Sequence, residues 1–414
     1  MDERVEAGGE GSLEMFGERA APIERYYLSF NLAIFGNGLV AVFLNLFFLS
    51  NYSYVAVLYF QLVTYATAYG AYALAGYVYP KYSPKHLYVL GLALSGLVLI
   101  DLLAVSGPLS NPFAFGVLYG ITIGVFYAGN NPLMHDITRS ANRTTFVATN
   151  NFLTGAVSLV APVCAGALIQ FSTFSGVERY LWDFAVACAV FLLATLVILR
   201  ARYESRPTHG YAVARTIRGP GPGYRRFQWL FFASQLFSIP IGIVLPIFVF
   251  QRTGSYLLTG VFASYLLAVA VVANFAFRRG FRREGPFAIV AVAGIIASSL
   301  VLFVNWNPAL MAFAFGGVYT VLSTPLSNMV MVEFMERIDR EPGPDRVLVW
   351  ANREFYLGVG RMVVLGAMVV FASFVVRNPS DVVYLLPLLT VGALAYLGVV
   401  TAPSRPAPMA RPTA

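Results

Sequence analysis

Charge is scarce in this sequence. Only 12% of its 414 residues are Asp, Glu, Lys or Arg, against about 25% in an ordinary soluble domain. Hydrophobic residues make up 58%, and the mean hydropathy is +0.69. No water-soluble fold of this size hides that much apolar surface, so the soluble classes are excluded. Histidine occurs three times, at His86, His135 and His209, each at or beyond the end of an apolar segment. The two cysteines, Cys164 and Cys188, lie inside apolar segments without metal-ligand spacing and read as small buried thiols. There is no Gly-rich nucleotide loop, and His, Cys and acidic residues form no metal or nucleophile constellation. Hydrolysis, ATP-driven transport within this chain, a metal and any other cofactor are therefore not expected. A membrane enzyme or lipid scramblase would need acids or histidines clustered at one interface, and no such cluster is found.

What is there instead is a series of apolar runs long enough to cross about 30 Å of hydrocarbon. Twelve spans are predicted: 26–49, 55–79, 86–106, 112–134, 145–171, 180–199, 228–250, 256–277, 286–304, 308–332, 347–376 and 382–402. The runs are too long for barrel strands and show no ten-residue alternation. Residues 1–25, with seven acids and Gly8, Gly9 and Gly11, are expected to form a disordered acidic cytoplasmic tail. They lack the basic region and cleavage site of a signal peptide, so the first span should remain in the mature protein. With that tail inside, 23 basic residues fall on the cytoplasmic side and three outside, Arg179, Arg252 and Arg377. This bias predicts both termini in the cytoplasm. It also accounts for the net charge of +8 without a nucleic-acid partner, by attraction to an anionic inner leaflet. All but two of the 28 basic residues are Arg, the bias of a GC-rich bacterial gene, which places the chain in the cell (plasma) membrane.

The stretch "RARYESRPTHGYAVARTIRGPGPGYRRF" (200–227) is basic and Pro/Gly-rich, and divides the spans six and six. The expected organisation is an N-terminal six-helix bundle (26–201), a cytoplasmic linker (202–226), a C-terminal six-helix bundle (227–402) and a tail (403–414). The halves share a repeat. "FNLAIFGNGLVAVFLNLFFLS" (30–50) aligns with 232–252, "GITIGVFYAGNNPLMHD" (120–136) with 317–333, and "ATNNFLTGAVS" (148–158) with "ANREFYLGVGR" (351–361). The offsets are 202, 197 and 203 residues, as a duplication requires. Asn150, Asn151 and Ser158 thereby pair with Arg353, Glu354 and Arg361, so the charges were placed on one half only.

Two six-span halves, cytoplasmic ends and a basic middle loop resemble the major facilitator superfamily over residues 25–402. The resemblance implies an all-α membrane protein of twelve transmembrane helices in two pseudo-symmetric bundles. It implies a secondary active transporter that moves a small solute by alternating access. The short motifs are worn. The family's loop after span 2 reads Gly-x-x-x-Asp-Arg-x-Gly-Arg-Arg. Here "GYVYPKYSPKH" (76–86) keeps Gly76, Lys81 and Lys85, with Pro80 in place of the Asp. The loop "HDITRSANRTTF" (135–146) supplies Asp136, Arg139 and Arg143 in the charge-paired pattern common in the superfamily. Span 5 carries "APVCAG" (161–166), similar to the Gly-Pro-x-x-Gly-Gly element of the family's antiporters. Pro162 and Gly166 in it would bend the helix and admit a close neighbour. This favours efflux or antiport of amphipathic or aromatic compounds over a nutrient or organic-anion uptake symporter. A non-transporting sensor or subunit on a transporter fold is the third reading. The chain is expected to act as a monomer on a small-molecule substrate within the lipid bilayer, with a proton or another coupling ion as possible partner.

Span 11, "VWANREFYLGVGRMVVLGAMVVF" (349–371), holds Arg353, Glu354 and Arg361. A charge at mid-bilayer costs about 2.5–3.5 kcal/mol on insertion scales, so such residues face a bundle interior or a wet cavity. Glu354, Gly358 and Arg361 share one helix face. The resemblance sets span 11 against span 2, whose stripe Gln61, Tyr65, Tyr69, Tyr72 and Gly76 follows helical spacing. Tyr hydroxyls and Glu354 are then expected to offset the burial of Arg361. The cluster forms a gate or binding element, or alternatively a permanent network that locks span 11. Glu354 is the proton-coupling candidate, although its Arg neighbours oppose that role, and Asp101 reads as a structural acid. The resemblance makes spans 1, 4, 7 and 10 the cavity helices, with Asn31, Asn37 and Asn45, Asn130 and Asn131, Gln235 and Ser238, and Ser327 and Asn328 as polar residues. Among these, Asn37, Asn131, Gln235 and Asn328 are the substrate or coupling candidates. Pro240 and Pro246 are expected to kink span 7.

Overall fold

The computed structural model describes residues 20–103, 111–137, 140–201, 210–219, 221–277, 284–300, 307–340, 346–376, 381, 384–385 and 387–401. These residues form helices and contain no strand. In hydrocarbon no water is available for backbone N–H and C=O groups, so each crossing must satisfy them within itself, and the helix does so.

Among the described residues twelve long helices follow one another: α1 (Ala20–Asn51), α2 (Tyr54–Val78), α3 (Pro84–Leu103), α4 (Pro112–Asp136), α5 (Ser140–Gln170), α6 (Leu181–Leu199), α7 (Arg225–Thr253), α8 (Tyr256–Phe277), α9 (Glu284–Ser299), α10 (Pro308–Arg340), α11 (Arg346–Val375) and α12 (Pro387–Thr401). Nine of these are long and apolar enough to cross a membrane, and α9 and α12 are shorter apolar helices. The remaining one, α2, is long enough, but six tyrosines and Gln61 dilute its hydropathy. Local signals set several ends. The Ser53 side chain caps α2, and Asn111 caps α4 just before Pro112. Gly254, at φ 65°, ends α7 in the left-handed conformation that its missing Cβ permits.

Several helices overrun their expected limits, α1 and α10 the furthest at one end. α1 starts at Ala20 rather than 26, and α10 continues to Arg340 rather than stopping at 332. The added residues, such as Glu333, Glu336 and Arg337, are polar, and a helix has no reason to stop where the hydrocarbon does. The linker differs more. It carries its own short helix, Val213–Arg218, inside a segment whose composition marks only a connector.

Packing repeats between the halves. In the first, α2 and α3 pack on α4, α6 packs on α1 and α3, and α5 packs on α1. In the second, α8 and α9 pack on α10, α12 packs on α7 and α9, and α11 packs on α7. These are the same pairs six helices on, which is the pseudo-twofold relation of the two bundles. The halves meet at two seams, α5 against α8 and α2 against α11, and the symmetry exchanges them.

Small residues make both seams close. A Cβ added to Gly260 on α8 would lie 2.1 Å from the Pro162 carbonyl oxygen, and one on Gly166 would lie 2.6 Å from that of Tyr256. Pro162 and Gly166 therefore stand at the α5–α8 seam. At the other, the Cβ position of Gly358 is 3.2 Å from Tyr69, while that of Gly360 is 2.5 Å from the Phe232 carbonyl oxygen of α7. α11 is thus held between α2 and α7 by two glycines two residues apart. Pro240 and Pro246 are buried within an α7 that remains one continuous helix.

At the linker end, basic side chains close α6. Arg25 donates to the Arg200 carbonyl, and Lys85 Nζ donates to the Ala201 carbonyl at 2.6 Å. Cations suit the unpaired carbonyls and negative dipole of a helix C-terminus. Lys81 is exposed. Arg139 and the side chains of Asp136 and Arg143 lie outside the described residues, as do the two tails beyond Ala20 and Thr401.

Candidate functional site

A cavity of about 540 Å³ lies between the two bundles. Most of its wall comes from α1, α2, α4, α7 and α11, with Ser95 of α3 and Phe191 of α6 completing it. α10 contributes no lining residue, which corrects the expectation for span 10. Asn328 is exposed and donates to Asn274 Oδ1 of α8 at 2.6 Å, and Ser327 is exposed as well. They fall on a face of α10 turned from the cavity, and α2 and α11 supply the wall in its place.

Apart from Gly76, which packs on Tyr211 of the linker, the stripe on α2 reaches the cavity. Gln61, Tyr65, Tyr69 and Tyr72 all line it. Gln61 Nε2 donates to Asn45 Oδ1 of α1 at 2.6 Å, Tyr72 OH accepts from Asn131 Nδ2 of α4 at 3.3 Å, and Tyr69 packs its ring on Phe355 at 5.2 Å. Asn37 of α1 accepts from Tyr119 OH at 3.0 Å. Asn31 and Asn130 serve the bundle rather than the cavity. Asn31 donates to the Tyr27 carbonyl and accepts from Thr154, and Asn130 accepts from Tyr26 OH.

All three charges of α11 line the cavity. Arg361 sits midway along that 30-residue helix. Its Nε donates to Gln235 Oε1 of α7 at 2.9 Å, and its guanidinium lies over the Tyr65 ring, 4.8 Å from the centroid. Each contact offsets part of the burial. The first is a charge-assisted hydrogen bond, and the second is a cation–π contact in a partly desolvated place. This differs from the expected arrangement in two respects. It is the Tyr65 ring face that meets Arg361, and Glu354 pairs elsewhere. Glu354 Oε1 accepts from Arg353 Nη1 at 2.5 Å. The Arg353 guanidinium also lies 5.2 Å from the Phe231 ring and 5.4 Å from Trp350. Glu354 and Arg361 are two helical turns apart, about 10 Å along the axis, which exceeds the reach of a direct pair.

Sequence reasoning missed three groups. Tyr119 and Tyr127 line the cavity from α4, and Tyr127 lies within electrostatic range of Glu354, Arg361 and Arg353. The signal was present, because Tyr119, Ile123, Tyr127 and Asn131 fall at helical spacing, as the α2 stripe does. Asp183 in the first turn of α6 is fully buried, with no hydrogen-bond partner for either oxygen among the described residues. The third group ties the linker to the bundles. Asn352 Nδ2 donates to the Thr216 carbonyl at 2.5 Å, and Gln228 Nε2 of α7 donates to Asn352 Oδ1 at 3.0 Å. Tyr211 OH donates to the Tyr72 carbonyl at 3.1 Å, and the hydroxyls of Tyr69 and Thr216 are 3.3 Å apart. Asn352 immediately precedes the charged pair on α11.

Among the described residues no group of three His, Cys, Asp or Glu side chains could hold a metal ion. The described residues thus present a central cavity, two symmetry-related seams and the α11 charges that line the cavity.

Comparison with known proteins places this architecture. In solved structures it is similar to a bacterial homologue of the human drug peptide transporters PepT1 and PepT2, at TM-score 0.71 and 13% identity over 92% of this chain and 96% of that one. It is similar to a mutant form of the nucleoside transporter NupG, at TM-score 0.68 and 11% identity over 92% and 99%. It is also similar to a bacterial homologue of the iron transporter ferroportin in its inward-facing state, at TM-score 0.66 and 14% identity over 92% and 97%. At such identities these likenesses show the fold alone. No curated protein matches the sequence. The family model of the Major Facilitator Superfamily matches residues 26–340, about three quarters of the chain, and stops short of the charged α11. With that match added to the two exchanged bundles, the chain belongs to the Major Facilitator Superfamily.

Proposed function

We propose that the protein is a secondary active transporter that carries a small solute by alternating access, with the bundles rocking about the α2–α11 and α5–α8 seams. The observation that carries this reading is the cavity between the halves, which holds the intramembrane Arg361. Its volume falls within the range of about 300–1,000 Å³ typical of small-molecule sites. The wall combines aromatic rings with a few convergent polar groups, which suits amphipathic or aromatic solutes and favours export over nutrient uptake. The arginine bias of the linker side supports a cytoplasmic position for that end and for both termini, and the reading takes the membrane to be the plasma membrane. The chain acts as a monomer in this reading, since the cavity is complete within one copy.

The test is transport by purified protein in liposomes. Current across a solid-supported membrane and uptake of labelled solutes are recorded for sugars, amino acids, organic anions and cationic dyes, with and without a pH gradient. A substrate-dependent response is expected, dependent on Arg361 and Glu354 and lost in Arg361→Gln and Glu354→Gln at wild-type melting temperature. Responses that depend on the pH gradient would identify a proton as the coupling ion. Silence in both current and labelled uptake across the panel would refute the reading in favour of a sensor or subunit.

A further inference from the structure

Charge in the cavity does not balance. Its wall includes three charged side chains, Arg353, Glu354 and Arg361. Arg353 and Glu354 neutralise each other in direct contact. Arg361 has no acid against it among the described residues; its Nε bond goes to a neutral amide, and its other contact is the Tyr65 ring. Among the described residues the net charge of the wall is therefore +1, carried by one guanidinium at mid-depth.

The geometry of that guanidinium is also one-sided. Gln235 takes the Nε–H, and Tyr65 covers one face of the plane, which together fix its orientation. The two terminal nitrogens make no hydrogen bond with the protein among the described residues, and the side chain lines the cavity. What is left is the planar fork that pairs with an oxyanion through two parallel N–H bonds. A group held so firmly on one edge and open on the other is prepared for a ligand. The terminal nitrogens are not among the buried unpartnered atoms, so they are open to the cavity rather than sealed in the protein.

The rest of the wall sets the body of that ligand. Phe60, Phe126, Ile239 and Leu357 give apolar surface, and Tyr119 and Tyr127 give rings with a hydroxyl edge. Among the described residues a cation finds only Glu354, already paired. A dianion would turn an excess of +1 into −1. Resting on the transport reading above, we infer that the solute is a monovalent organic oxyanion, a carboxylate or sulfonate on a flat apolar body, with its charged end on the Arg361 fork.

The experiment compares matched probes that differ only in the charged end: 2-naphthoate, 2-naphthalenemethanol and 2-naphthylmethylamine, and the corresponding benzoate, benzyl alcohol and benzylamine. Binding to the full chain in nanodiscs is measured by titration. The anion of each set should bind about ten- to a hundredfold more tightly than its alcohol, the range for a hydrogen bond to a charged group. Arg361→Gln should bring that ratio close to one, chiefly by weakening binding of the anion. Arg361→Lys, which keeps the charge and loses the fork, should retain part of the ratio. An alcohol or amine that binds wild-type protein as well as its anion overturns the inference, as does failure of every anion to bind. These two outcomes need no variant, so misfolding of a mutant cannot mask them. A ratio that survives Arg361→Gln also overturns it. Counterflow of labelled 2-naphthoate in liposomes separates this claim from the transport reading. Anion-selective binding without counterflow of bound anions sinks transport and keeps the oxyanion site. Counterflow of a sugar or dye by a protein with no anion preference does the reverse.

Discussion

Asn352→Leu should release the linker from the bundles. Asn352 is 4% exposed and makes two side-chain bonds, to the Thr216 carbonyl and from Gln228. Leucine has a similar volume and can make neither. The Thr216 carbonyl and the Gln228 amide, on a residue 5% exposed, are both left without that partner. Each unpaired buried group costs about 1–3 kcal/mol. Water at this end of the bundle recovers part of it, which leaves about 2 kcal/mol for the pair. The helix Val213–Arg218 has six residues and cannot persist in isolation, so undocking and unfolding are one event for it. Its Arg215 and Arg218 are exposed and offer trypsin two sites once the backbone opens. Where reclosing outpaces cleavage, the rate follows the population of the open form, and about 2 kcal/mol corresponds to about 30-fold. Limited trypsinolysis, with the cuts assigned by mass spectrometry, should show cleavage after Arg215 and Arg218 faster by about that factor. Gln228→Leu should give a smaller increase, and the double variant less than the product of the two, because they share one bond. Wild-type cleavage kinetics in Asn352→Leu would mean that the linker is held by something other than this clasp.

Gly260→Ala should lower the melting temperature and the yield of folded protein, because its Cβ would sit 2.1 Å from the Pro162 carbonyl oxygen and force α5 and α8 apart. Gly366→Ala, where nothing lies within 4 Å, should be neutral or slightly stabilising, and equal melting of the two variants would refute the close-seam account. Glu333→Gln breaks the 3.4 Å pair with Arg226, but the partners are 47% and 33% exposed, so thermal unfolding should show a change below about 1 kcal/mol.

The helices were legible because the bilayer imposes one rule on every crossing, and apolar length follows from it. The α2 stripe was legible for a related reason: polar residues at helical spacing on a membrane helix have one place to point. The partners of Arg361 were less so. Gln235 lies 126 residues away, and no local pattern says that its amide turns to α11. Glu354 shares a helix face with Arg361, but a face is not a distance. Two turns separate them, and the adjacent Arg353 is within reach. The exclusion of Asn328 depends on the rotation of α10 about its own axis, which a hydrophobic run on all sides does not encode. The linker helix was illegible from composition, because docking against α2 and α11 stabilises it rather than propensity.

The unpaired guanidinium also bears on the energy source. A fixed positive charge at mid-depth responds to the voltage across a membrane whenever alternating access moves the water-filled path from one side of it to the other. The scale is about 2.3 kcal/mol per elementary charge for each 100 mV fully traversed. On the proposed reading, an oxyanion on the fork makes the loaded carrier neutral, and its crossing ignores the voltage. The empty carrier keeps the charge, so the voltage acts on the return step alone. Such a carrier moves net charge in each cycle although its solute-bound transition is electrically silent. Pre-steady-state currents on a solid-supported membrane would separate the two steps. A voltage-sensitive loaded transition would show that the +1 of the wall is not what the solute neutralises.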